Sequence, residues 1–149
     1  MSDANLIKVK YRLTDQIAQA GGMTVAMAMD RVGREMAGQE GRSRECIGES
    51  ISKLEALCRE QTATMDEVYA VSTEVIDIAG LFDDRMLCES AYSLCELADR
   101  QRTQGKCEWP AVVVHTEAMR LIYSAHPTGG EELKPVVAGL WKVTDRYKE

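Results

Sequence analysis

At 149 residues, with 45% hydrophobic and 28% charged residues, the chain has the make-up of one ordinary globular domain, not a disordered or fibrous one. Five Tyr, two Trp and one Phe against eight Met favour a helical core of aliphatic side chains over a sandwich or barrel. A formal net charge of −6 excludes general nucleic-acid binding, which needs clustered Lys and Arg, and no apolar run approaches the roughly 20 residues of a membrane span. The opening MSDANLIKVKYR lacks the charged-then-apolar layout of a secretion signal, so a cytoplasmic protein without membrane insertion is expected.

In chain order, Leu6, Val9, Leu13, Ile17 and Ala20 form a helical stripe over 4–20, stopped by Gly21-Gly22. Thr24 is a good N-cap for the next segment, where Val25, Met29, Val32 and Met36 recur at helical spacing. Glycines at 33, 38 and 41 predict a break or frayed zone at 38–42, leaving open whether 24–60 is one helix or two. Cys46, Ile47, Ile51, Leu54, Leu57 and Cys58 mark a firm helix ending near Glu60.

Thr64 with Glu67 three residues on is a capping box. It opens the stretch that organises the chain, two helices joined by a tight turn at Leu81-Phe82-Asp83-Asp84. Met65, Val68, Ser72, Val75, Ala79 and Phe82 share one face of the first, and Leu87, Ala91, Leu94 and Ala98 one face of the second. Gly105 suits the position just past the second helix, and Pro110 the first turn of a third. That third helix carries Ala111, Val114, Ala118, Leu121, Ile122 and Ala125 as its apolar positions. A loop at Pro127-Gly130 precedes a last helix over 131–147, whose start is marked by Pro135.

The expected fold is therefore all-α. It is an up-and-down bundle with a four-helix core of about 43–60, 65–81, 84–104 and 110–126. The whole chain 1–149 forms a single domain, with 1–42 as an N-terminal helical extension and 127–149 as a C-terminal helix.

Chemistry is sparse. Cys46, Cys58, Cys88, Cys95 and Cys107 form no CxxC pair and have no His at metal-ligand spacing, so they are expected to be small, buried, reduced side chains. His126 is expected to be a solvated loop residue. His115, at the border of the apolar stripe, is expected to be a partly buried, hydrogen-bonded helix residue. Asp83-Asp84 and Glu131-Glu132 stand at helix starts, where negative charge complements the helix dipole. No catalytic constellation emerges, and no metal or cofactor is expected.

The segment Thr73 to Phe82, TEVIDIAGLF, together with Ala91 to Leu97, AYSLCEL, resembles the signature of histidine-phosphotransfer (HPt) domains over about residues 45–125. In that register Thr73 stands where the phosphorylated His would be, Ile76 where a Lys would be and Asp77 where a Gly would be. The resemblance implies a kept scaffold with its reactive centre lost. Gly21 to Ala26, the Leu81-Phe82 turn, Ser93 to Leu97 and Val112 to Leu121 are also similar to small alphaproteobacterial proteins of the CheE-like, chemotaxis-associated group. Together these likenesses imply a non-enzymatic signalling adaptor that docks a receiver domain or a histidine kinase. The docking face would be Thr73, Asp77, Asp84 and Arg85. The alternatives are an active phosphotransferase using His115, and a structural module that forms a homodimer through the stripe Val25, Met29, Val32 and Met36.

Overall fold

The computed structural model describes residues 21–125 and 131–148, together with Leu13 and Ile17. Most of the helix expected over 4–20, His126 and the loop at 127–130 lie outside the described residues. Among the described residues there are five α-helices and no strand: α1 (Val25–Glu60), α2 (Met65–Leu81), α3 (Arg85–Thr103), α4 (Trp109–Ala125) and α5 (Lys134–Thr144). Two 3₁₀ turns, Glu131–Leu133 and Asp145–Tyr147, flank α5. The all-α bundle expected from the sequence is the observed architecture. The chain divides into two compact units, residues 1–38 and 39–149.

Helix α1 begins at Thr24, whose hydroxyl accepts from the Met27 N–H at 3.2 Å. It runs uninterrupted for 36 residues, which corrects the break expected at 38–42. A Cβ added at Gly33, Gly38 or Gly41 would meet nothing within 4 Å. These glycines therefore weaken the helix, by about 1 kcal/mol each relative to Ala. No proline or alternative cap is present to end it, and helix formers such as Gln39, Glu40 and Arg42 surround them.

The 39–149 unit is built on local signals that the sequence spells out. Thr64 caps α2 through a reciprocal box: its hydroxyl accepts from the Glu67 N–H at 3.3 Å, and the Glu67 carboxylate accepts from the Thr64 N–H at 2.7 Å. After α2 the chain reverses through Phe82 and Asp83, the latter with φ of 56°. Asp84 then caps α3 by accepting from the Leu87 N–H at 3.2 Å. α3 ends in a Schellman motif, with Gly105 at φ 63°, its N–H on the Arg102 carbonyl and the Lys106 N–H on the Gln101 carbonyl. Gln101, wholly buried, then ties this corner to α4: its amide oxygen accepts from the Glu108 N–H at 2.7 Å.

Packing follows the stripes. Met65, Val68, Ser72, Val75 and Ala79 of α2 are buried, as are Leu87, Ala91, Leu94 and Ala98 of α3. Side-chain bonds give the neighbour order. Ser50 and Lys53 of α1 meet Glu74 of α2. Arg102 of α3 reaches Asp66 of α2, while Cys88 of α3 faces the Ile76 carbonyl, so these two helices are antiparallel. Arg120 of α4 forks onto Glu55 of α1, Nε to Oε1 at 2.7 Å and a terminal nitrogen to Oε2 at 3.0 Å. The 39–60 part of α1 thus closes a four-helix ring with α2, α3 and α4.

Helix α5 lies outside this ring against α3 and α4. It runs parallel to α3, since Trp141 packs beside Tyr92, Thr144 reaches Ser93, and Tyr147 lies near Gln104. α3 is therefore the central helix, with nine buried residues among its 19. On α4 Ala111, Ala118 and Ile122 are buried as expected, but Val114 and Leu121 are exposed, while Val112, His115 and Met119 are buried in addition. The buried stripe is rotated because α5 covers a second side of α4, which a one-stripe reading omits.

Candidate functional site

The four residues expected to form a docking face occupy the α2–α3 hairpin, but only two of them are exposed. Thr73 is half-buried, its hydroxyl donating to the Tyr69 carbonyl at 3.0 Å and lying 3.8 Å from the Cys95 thiol of α3. Asp84 is half-buried and occupied in capping α3. Asp77 is exposed on α2, one helical turn beyond Thr73. Arg85 is exposed across the turn, in an ion pair with Glu89 at 3.0 Å. From Thr73 to the end of α2 is eight residues, about 12 Å of helix rise, so the four form a strip along the hairpin and not one cluster. Exposed Tyr69 and Leu81 on the same helix add apolar surface that the sequence reading had not singled out.

His115 is the chemically distinctive residue. The expectation of a partly buried side chain is corrected to one with 0% exposure. Its Nδ1 lies 2.8 Å from the Ala111 carbonyl, which can only accept, so Nδ1 carries the proton. Nε2 is then an acceptor, 3.1 Å from the Ser93 hydroxyl of α3 and 3.2 Å from the Thr144 hydroxyl of α5. Thr144 in turn donates to the Ser93 carbonyl at 3.2 Å. The guanidinium of Arg100 closes the set by donating to the Thr144 carbonyl at 2.8 Å. Three helices are thereby joined by a network with every buried side-chain polar atom partnered among the described residues. Ser93 and Thr144 are 51 residues apart, and no sequence signal pairs them.

Burial pushes the His115 imidazole below its ordinary pKa of 6.5, against the smaller upward pull of the Ala111 hydrogen bond. The folded protein therefore keeps a neutral imidazole where the unfolded chain takes up a proton. This contribution to stability is fully present above about pH 6.5 and is lost as pH falls below that value toward the folded pKa. The thermal midpoint is expected to drop between about pH 7.5 and pH 5.5, with a shallower slope in His115→Gln. Equal slopes in the two proteins would mean that the imidazole is not held neutral. Glu55, depressed by its hydrogen bond to Arg120, acts in a separate and lower window, losing its contribution as pH falls through the carboxylate range.

The cysteines are free thiols: Cys95 is buried, Cys46, Cys58 and Cys88 are half-buried, and Cys107 is exposed, unlike the burial expected for all five. Burial raises the thiol pKa of Cys58, Cys88 and Cys95, which makes them poor nucleophiles. Among the described residues no group of three His, Cys, Asp or Glu could hold a metal ion, and no helix is long and apolar enough to cross a membrane.

This geometry defines an all-helical bundle with a hydrogen-bonded polar cluster, Ser93, His115 and Thr144, buried in its core. Comparisons with protein-family models, curated proteins and solved structures find no match to this chain.

Proposed function

We propose that this chain is a non-enzymatic adaptor of a two-component or chemotaxis system, docking a receiver domain or a histidine kinase through its α2–α3 hairpin. The observation that carries this reading is the state of the two positions where phosphate chemistry would occur. Thr73, in the register of the phosphorylated residue, offers a hydroxyl already bonded to its own helix. His115, the alternative, has no solvent-reachable nitrogen. Phosphoryl transfer needs a neutral nitrogen that an incoming phosphorus can reach; Thr73 has none, and that of His115 is neutral but buried. Arg120, the nearest cation after His115 in sequence, is directed to Glu55 on α1 and away from the imidazole. What remains for function is the outer surface of the hairpin, with Tyr69, Asp77, Leu81 and Arg85 exposed along it.

The test is a pull-down against the receiver domains and histidine kinases of the source organism. Binding to at least one is expected, weakened tenfold or more by Asp77→Lys with Arg85→Glu; no binding to any of them sinks the proposal. Both positions are exposed, so the double variant should keep the wild-type thermal midpoint within the spread usual for surface substitutions, about 0.5 kcal/mol. No acid-labile phosphate is expected on the protein after incubation with a phosphorylated kinase or receiver. Label that reaches the wild type but not a folded His115→Gln would instead make it a phosphotransferase.

A further inference from the structure

We infer that the N-terminal part of α1 is a self-association surface that pairs with the same segment of a second copy of this chain. Val25, Met29, Val32 and Met36 lie at four- and three-residue steps, hence on one helix face, and are 82%, 67%, 52% and 38% exposed. They make an apolar strip on the order of 400 Å², the size at which an exposed patch on a monomer marks an interaction site. That is about half of the 800 Å² per partner of a standard interface, so the pairing is expected to be weak and concentration-dependent.

Helix energetics favour such a partner. Residues 25–38 extend a helix whose buried residues, Ile47, Ser50, Ile51 and Leu54, all lie beyond them, and most helical stability in proteins comes from packing an amphipathic face. Between Val25 and Gly38 the helix carries two glycines, and every residue but Ala28 is exposed. The element is thus intrinsically weak, and none of the described residues covers its apolar face.

Charge selects a second copy over a foreign partner. The segment holds two acids and two bases, Asp30, Arg31, Arg34 and Glu35, so it is neutral within a chain of net charge −6. Asp30 and Arg34 already neutralise each other at 3.0 Å on the same helix. No surplus charge is left to attract an oppositely charged protein, and none repels an identical segment. A neutral apolar strip can meet itself across a two-fold axis, the commonest symmetry of homo-oligomers. This inference does not depend on the adaptor reading, because it uses different residues.

Sedimentation velocity on the full chain tests it, from about 1 to 100 μM, a range chosen to bracket micromolar association. A concentration-dependent dimer is expected. Met29→Lys with Val32→Lys should raise its dissociation constant at least tenfold while the thermal midpoint of the 39–149 bundle stays as in the wild type. A conservative pair, Met29→Leu with Val32→Ile, should keep the dimer. A wild type that remains monomeric at the highest concentration overturns the inference, as does a lysine variant that dimerises as strongly as the wild type. A wild type that is monomeric alone but captured through these residues by another protein likewise assigns the strip to a foreign partner and overturns it.

Discussion

Leu94→Asp is expected to abolish the cooperative thermal transition of the bundle. Leu94 is 0% exposed near the middle of α3, the helix that α2, α4 and α5 all pack against. A carboxylate there has no cation in the core to pair with, since the buried polar residues described are Ser, Thr, Gln and His. It must stay charged without partners or take up a proton and remain poorly satisfied. Either course, added to the lost packing of the leucine, costs on the order of 5 kcal/mol, comparable with the whole stability of many domains. Far-ultraviolet circular dichroism during heating reads this directly. A sigmoidal melt near the wild-type midpoint would mean that α3 does not run through the core.

His115→Ala is expected to destabilise the protein by about 2–4 kcal/mol, measured by urea unfolding. Part of the loss is the cavity left by a ring with 0% exposure. The rest arises because the Ser93 hydroxyl loses the Nε2 acceptor in a buried site. The damage should concentrate on α5, whose attachment to the ring includes the Thr144 contacts and the packing of Trp141 beside Tyr92. Trp141 emission should therefore shift at lower urea than the helical signal falls. A loss below about 0.5 kcal/mol, the scale of an ordinary surface substitution, would rule out the imidazole as the joint between the three helices.

Much of the scaffold was legible because its signals are local. Thr64 and Glu67, three residues apart, cap α2 as the pattern implies, and Gly105 takes the left-handed conformation expected just past α3. The stripes of α2 and α3 are buried as spaced, since each helix presents that face to the interior of the ring. Two errors share a different origin. Counting glycines predicted a break in α1, yet a glycine only weakens a helix, and nothing at 38–42 stabilises an alternative backbone. The apolar stripe of α4 was drawn through Val114 and Leu121, because periodicity assumes one buried face and α5 creates a second. For the same reason His115 was placed at the border of the stripe, while its partners Ser93 and Thr144 lie far off in sequence. Of the docking face that the resemblance implies, Asp77 and Arg85 are exposed, but the register could not foresee that Thr73 and Asp84 are engaged within the hairpin itself.

The parallel run of α5 along α3 has a kinetic corollary. The α2–α3 hairpin closes through a turn of three residues, whereas the hydrogen bonds of α5 to α3, Arg100 to Thr144 and Ser93 to Thr144, join residues 44 to 51 apart. Loop closure favours the short connection first, so the hairpin suits the role of folding nucleus and α5 that of the last element to dock. During synthesis the hairpin also leaves the ribosome well before residues 134–144. Until those residues emerge, the groove that will hold Thr144 stays open, with the Ser93 hydroxyl and the His115 imidazole lining it. A chain with α4 in place and α5 not yet docked would therefore leave this histidine open to solvent, an exposure that ends when α5 docks.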